Sequence, residues 1–204
     1  LEPEKRRDAY FKIAEKIEVP ALVHALEPAF VPWATPFEPW LLYQLASHEK
    51  FTGGKISTLD EPHFLYWSSM TRDLGLDFQP YSGDDFGIAS AIRMGLPLLI
   101  GAGVSAFPLI CAAKKFWQTK DFDSRVYKLF EAIQSLEDAV FRLDEKGSAA
   151  GYKQSTAEIL KMLGVIETAE IHPECLDLRI GKEEDRMREA LYRPMRMAER
   201  MNIP

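Results

Sequence analysis

The chain has 204 residues, 47% of them apolar and 27% charged, and a formal net charge of −6. That balance is ordinary for a globular chain long enough to bury a substantial core. Its acidity argues against nucleic acid as a partner, because phosphate binding asks for a basic surface.

Residues 3–17 set Ala9, Phe11, Ile13, Ala14 and Ile17 among charges, which predicts a helix with one apolar stripe. The chain opens on Leu1, Glu2 and Pro3 and this charged helix, not on a signal peptide. Val19 to His24 reads as a short buried strand with a polar end. A loop rich in proline and aromatics follows from Glu27 to Trp40 and leads into a helix through Leu41, Leu42 and Leu45. Phe51–Ser57 is the second predicted strand. Asp60 then stands as N-cap, with Pro62 in the first turn, of a helix running to about Leu74.

Asp77–Tyr81 reads as a third strand, Phe86–Met94 as a helix and Leu96–Gly101 as a fourth strand. After Gly103 the pattern is helical only, over 107–118, 123–144, 153–163 and 183–201, with a kink or break expected at Pro194. The apolar stretch 96–113 is interrupted by Pro97, Gly101, Gly103, Ser105 and Pro108, so it will not span a membrane. The C-terminal arginines Arg186, Arg188, Arg193, Arg196 and Arg200 alternate with Glu183, Glu184, Asp185, Glu189 and Glu199, which predicts an ion-paired, solvated face. Cys111 and Cys175 have no paired spacing, so neither a disulfide framework nor a zinc site is expected, and a reducing, cytoplasmic setting is the simpler reading.

Alternation of strands and helices predicts an α/β fold with a parallel sheet covered by helices. Polar residues gather just after each strand: His24, Lys55, Ser82 with Asp84, and the loop from Gly101 to Ser105. A (β/α)8 barrel collects its chemistry at those ends. Four strands alone would leave two open edges. The expectation is therefore the second half of such a barrel over 1–118, lacking its front part, with a C-terminal helical region over 119–204.

Lys55 lies in a short apolar, glycine-containing run, Phe51-Thr-Gly-Gly-Lys-Ile-Ser57. Two readings are open. The lysine snorkels to the surface, or burial lowers its pKa and leaves a free amine able to form a Schiff base with a carbonyl. His24 is either a proton shuttle or a strand-end histidine bonded to backbone. Asp84 or Asp85 either caps the next helix or contacts substrate hydroxyls. Gly101 and Gly103 either serve a turn or let backbone approach a ligand. The aromatic loop, with Phe30, Trp33, Phe37 and Trp40, is a lid or pocket wall, or a subunit contact. His48, His63 and His172 lack metal-ligand spacing, and helix caps or solvent contacts are expected for them. No phosphate-cradling or dinucleotide motif is present, because Gly101-Ala-Gly103 lacks its third glycine.

Five motifs in order resemble the C-terminal two-thirds of the dihydrodipicolinate synthase and N-acetylneuraminate lyase family. They are Phe11-Lys-Ile-Ala-Glu15 with Val19-Pro-Ala-Leu-Val23, then Gly54-Lys55, Ser82-Gly-Asp-Asp85, the run Phe86–Pro108, and Lys161-Met-Leu-Gly164. The resemblance implies a (β/α)8 barrel with trailing helices, a homotetramer, and a lyase of the aldolase type acting on a 2-oxo acid such as pyruvate; no cofactor is expected, and the chain offers no recognisable His or carboxylate ligand set for a metal-dependent aldolase. It places the Schiff-base lysine at Lys55, a proton-transfer role at His24, and substrate contacts at Ser82, Gly83, Asp84, Ile100 and Gly101. Two departures stand out. The family's Tyr-Asn-x-Pro is replaced by His24-Ala-Leu-Glu-Pro28, and no arginine lies between Arg7 and Arg72, where a carboxylate-holding arginine is usual. The family's Gly-Thr/Ser-Thr loop, which grips the 2-oxo acid's carboxylate, would precede residue 1. A catalytically altered member that binds a small ligand or serves as a scaffold is the competing expectation.

Overall fold

A computed structural model describes residues 2–58, 60–101, 103, 106–120, 124–141, 151–170 and 183–200. The elements are α1 (Pro3–Ala14), β1 (Ala21–Leu26), α2 (Pro39–Ala46), β2 (Phe51–Ser57), α3 (Glu61–Asp73), β3 (Gln79–Ser82), α4 (Ile88–Met94), α5 (Phe107–Gln118), α6 (Ser124–Val140), α7 (Tyr152–Met162) and α8 (Glu183–Arg200). The strands form one parallel sheet in the order β1-β2-β3. Helices intervene between consecutive strands, as parallel pairing requires.

The expected fourth strand over 96–101 does not form. Leu98 makes an isolated parallel bridge to Ser82, in which the Ser82 N–H donates to the Pro97 carbonyl at 2.9 Å and the Leu99 N–H donates to the Ser82 carbonyl at 2.7 Å. Two causes limit it. Pro97 has no N–H to give a ladder, and Ser82 is already the last residue of β3, so no strand continues beside residues 99–101. The sheet is three-stranded, not four-stranded.

Other boundaries moved for local reasons. Asp60 accepts from the His63 N–H at 3.3 Å and caps α3 as expected. Helix α4 starts at Ile88, two residues later than predicted, because the Asp84 carboxylate accepts from the Phe86 N–H at 2.9 Å and holds 84–86 in a turn. Helix α8 runs through Pro194 without a break. Met187 and Leu191 on that helix are buried in the C-terminal core, and this packing outweighs the local cost of the proline. Asp123, residues 142–144, Met201, His172 and Cys175 lie outside the described residues, whereas Cys111 is exposed as a free thiol. Among the described residues no helix is long and apolar enough to cross a membrane.

Two buried clusters organise the molecule. In the first, Val23, Ala25 and Ile56 on one sheet face meet Leu41, Leu42 and Leu45 of α2 and Phe64 and Trp67 of α3. In the second, Ile88 and Ile92 of α4 and Leu109 of α5 pack with Leu129, Ile133 and Leu136 of α6, Ile159 of α7 and Leu191 of α8. The alternation of β2 sends Ile56 toward the helices and Lys55 to the other face.

Gly54 is pressed into the first cluster. A Cβ there would stand 2.7 Å from Phe78 Cζ, 3.0 Å from Val23 Cγ2 and 3.2 Å from Trp67 Cη2. Gly54→Ala is therefore expected to destabilise the fold by about 1–3 kcal/mol, the usual cost of overpacking. A lowered thermal unfolding midpoint checks this, and an unchanged one would show that the aromatic rings yield freely.

Candidate active site

Strand register brings the polar residues together. In the β1–β2 pair His24 faces Lys55 and Leu26 faces Ser57, while in the β2–β3 pair Lys55 faces Tyr81. Residues in register on parallel strands point to the same side. His24, Lys55 and Tyr81 therefore form one row on the face opposite the α2–α3 core, with Ser57 one step further along β2. Leu22, on the same face of β1, is 48% exposed, so this face lies open.

A register shift between Ala21 and Leu22 sets up this arrangement. Ala21 pairs with Phe51 but Leu22 pairs with Gly53, so β2 carries one extra residue, as in a β-bulge. Phe51 thereby remains in the helix-covered cluster while Lys55 faces the open side. Phe51 and Ile56, the apolar residues of the run that carries Lys55, do not bury it, because both belong to the opposite core.

Gly83 closes tightly over the lysine. Its N–H donates to the Ile56 carbonyl at 2.7 Å. A Cβ on residue 83 would overlap Lys55 Cε and stand 2.6 Å from Ser57 Oγ. The Lys55 stem and the Ser57 hydroxyl thus flank one point that only glycine leaves empty. His24 Nε2 lies 2.8 Å from Ser57 Oγ, a diagonal hydrogen bond across the two strands.

The electrostatics favour neutral bases. Burial lowers the Lys55 pKa from the ordinary lysine value, and the Asp85 carboxylate opposes part of that fall. Burial also lowers the His24 pKa, and the nearby Lys55 charge lowers it further. A partly desolvated amine and a neutral imidazole on one face can together attack a carbonyl and move protons.

The loop after β3 holds the remaining candidates. Ser82 and Asp84 are fully buried, and the Asp84 N–H donates to Ser82 Oγ at 3.3 Å. The α4 N-cap is Gly87 with no side-chain cap bond, so Asp84 orders the loop ahead of the helix. A Cβ at Gly87 would stand 2.5 Å from Asp84 Oδ2. Ile100 packs against the C-terminal cluster, and Gly101 is exposed with open space where a side chain would go. Neither is joined to the Lys55 group by a described contact.

The aromatic loop divides. The Arg6 guanidinium holds it to α1 through Glu38 and the carbonyls of Thr35, at 3.3 Å, and Pro36, at 3.2 Å. Phe37 is buried against Tyr10 and Trp67, Phe30 meets Phe141, and Trp33 is 82% exposed. His63 Nδ1 lies 3.1 Å from Glu27 Oε1, and the His48 ring packs at a tilt against Phe11 and Phe51. Sequence reading passed over Ser57 and the tight seat of Gly83. The signal for Ser57 was its period-two spacing from Lys55 on a strand.

No protein-family model and no curated protein matches the sequence. Solved structures do match its fold. Dihydrodipicolinate synthase from Bacteroides thetaiotaomicron superposes with a TM-score of 0.74 at 17% identity, over 94% of this chain and 61% of that one. N-acetylneuraminate lyase from Fusobacterium nucleatum gives 0.71 at 15% identity, over 95% and 61%. A 2-keto-3-deoxygluconate aldolase from Sulfolobus solfataricus gives 0.71 at 14% identity, over 100% and 63%. The chain thus has the fold of part of these barrels and spans about three fifths of their length.

Proposed function

We propose that this chain carries the reacting lysine of an aldolase-type lyase, which acts on a 2-oxo acid such as pyruvate through an imine at Lys55. The observation that carries this reading is the placement of Lys55 on the open sheet face, its amine pKa lowered by burial, in register with His24. The likeness in fold to a dihydrodipicolinate synthase, an N-acetylneuraminate lyase and a 2-keto-3-deoxygluconate aldolase supports it by analogy.

The neutral amine attacks the ketone carbon to give a carbinolamine, and loss of water gives the imine. Its nitrogen then withdraws electrons from the neighbouring carbon, so a carbon–carbon bond there breaks or forms with the charge delocalised. His24 accepts and returns the protons. Gly83 borders the Lys55 stem and frames the substrate, with Ser82 and Asp84 buried beside it in the same loop, while no described contact joins Ile100 or Gly101 to the lysine. The lack of an arginine between Arg7 and Arg72, with Trp33 exposed nearby in sequence, points to a second substrate less polar than that of dihydrodipicolinate synthase.

Borohydride reduction in the presence of pyruvate tests the proposal. The expected result is a stable mass increase located on Lys55 and lost in Lys55→Met. Because burial lowers the Lys55 pKa, the trapping rate should rise with pH through a midpoint below that of an ordinary lysine. Saturable binding of a 2-oxo acid with no adduct on Lys55 would instead make the chain a ligand-binding relative. The replacement of the family's tyrosine and arginine is the observation that favours this second reading.

A further inference from the structure

Ser57 is the last residue of β2, is 3% exposed, and stands two positions beyond Lys55 on the same face. Its hydroxyl lies 2.8 Å from His24 Nε2. It also shares with the Lys55 stem the small space left by Gly83. A buried hydroxyl of this kind both accepts and donates, so it suits an imidazole in either tautomer. The His24 ring lies on the edge strand of an open face, where its rotation about χ2 is otherwise broad. The bond to Ser57 is the described contact that fixes the ring on the strand next to the lysine.

We propose that Ser57 is the positioning residue for proton transfer at Lys55, acting through His24. The inference rests on the imine reading above and assigns Ser57 a role there. When the amine condenses with the ketone, two protons leave the attacking nitrogen and depart with the carbonyl oxygen as water. His24 accepts each proton and passes it on, ending neutral. With its ring held by Ser57 it does so without first searching for the orientation. A rigid shell that orients a reacting group is a general requirement of such sites.

Two measurements on the full chain test this. The first is NMR of the His24 ring nitrogens in wild type and Ser57→Ala, assigned with His24→Ala. Ser57→Ala should move the His24 Nε2 resonance and leave those of His48 and His63 in place. The second is the rate of borohydride trapping with pyruvate in Ser57→Ala, His24→Ala and the double variant. Ser57→Ala should slow trapping by roughly 10–100-fold, a part of the usual general acid–base contribution. The loss should vanish in the His24→Ala background, because residues acting as one unit are not additive.

Ser57→Thr, which keeps the hydroxyl, should restore both signals. Reaction of Lys55 with a carbonyl-free amine reagent should be the same in Ser57→Ala as in wild type. An unmoved Nε2 resonance, wild-type trapping, or fully additive losses would overturn the assignment. An Nε2 shift in Ser57→Ala together with no adduct in the wild-type chain ends the lysine reading and the catalytic role of Ser57 with it. An adduct without the shift ends the positioning role alone.

Discussion

Gly83→Ala is expected to leave the chain folded and yet reduce imine trapping at Lys55 by about 100-fold, the scale set by a misplacement of roughly an ångström at a reacting group. The reason is space, since glycine's backbone freedom is not called on at this position. A Cβ there would overlap Lys55 Cε and would stand 2.6 Å from Ser57 Oγ and 2.8 Å from the Ile56 carbonyl oxygen. The carbonyl is backbone and already accepts the Gly83 N–H at 2.7 Å, so it does not yield. The lysine stem is flexible and moves first, carrying its amine away from His24. The accompanying loss of stability should be about 1–3 kcal/mol, as for other inserted methyl groups. Trapping kinetics beside urea unfolding separate the two effects. Wild-type trapping in a folded Gly83→Ala chain would show that the amine reaches substrate without this seat.

Glu137→Gln is expected to stabilise the protein at neutral and mildly alkaline pH. Glu137 lies fully buried on α6, and neither carboxyl oxygen has a hydrogen-bond partner among the described residues. Burial first, then the charges on Asp85 and Asp138, push its pKa well above the ordinary glutamate value of 4.5. The folded state therefore holds this proton more tightly than the unfolded chain does. The associated stability is complete below about pH 4.5, where both states are protonated, and is lost as pH rises toward the folded-state pKa.

Glutamine copies the protonated carboxyl in shape and never has to give up a proton. The variant should thus exceed wild type at pH 8, because only the carboxyl has an unfolded state that gains by releasing its proton there, while the amide and the protonated acid share the cost of lacking a partner. The gap should shrink steadily toward pH 4.5. Urea unfolding at several pH values reads this directly. A variant less stable than wild type at pH 8 would mean that the ionised carboxylate is stabilised by its surroundings.

The candidate lysine was legible because two glycines and a lysine inside an apolar run are a local signal, and β2 occupies the predicted residues 51–57. The cap at Asp60 was legible for the same reason, since capping involves residues three apart. The fourth strand was over-read. An apolar run such as 96–101 announces burial, but pairing needs a neighbour, and β3 ends at Ser82. Helix α8 shows the converse, because Pro194 is a strong local breaker that burial against other helices overrode.

Chain patterning alone thus determined the succession of the helices and the first three strands, the parallel sense of the sheet, and the run that bears the amine. These depend on contacts between near neighbours in sequence. The tertiary structure decided which residues share the face of Lys55. His24 and Ser57 lie 33 positions apart, and they meet only because a one-residue bulge sets the β1–β2 register. A slip of one residue would turn every side chain of a strand to the other face. No local pattern encodes that choice; it emerges when the helix-facing side chains pack.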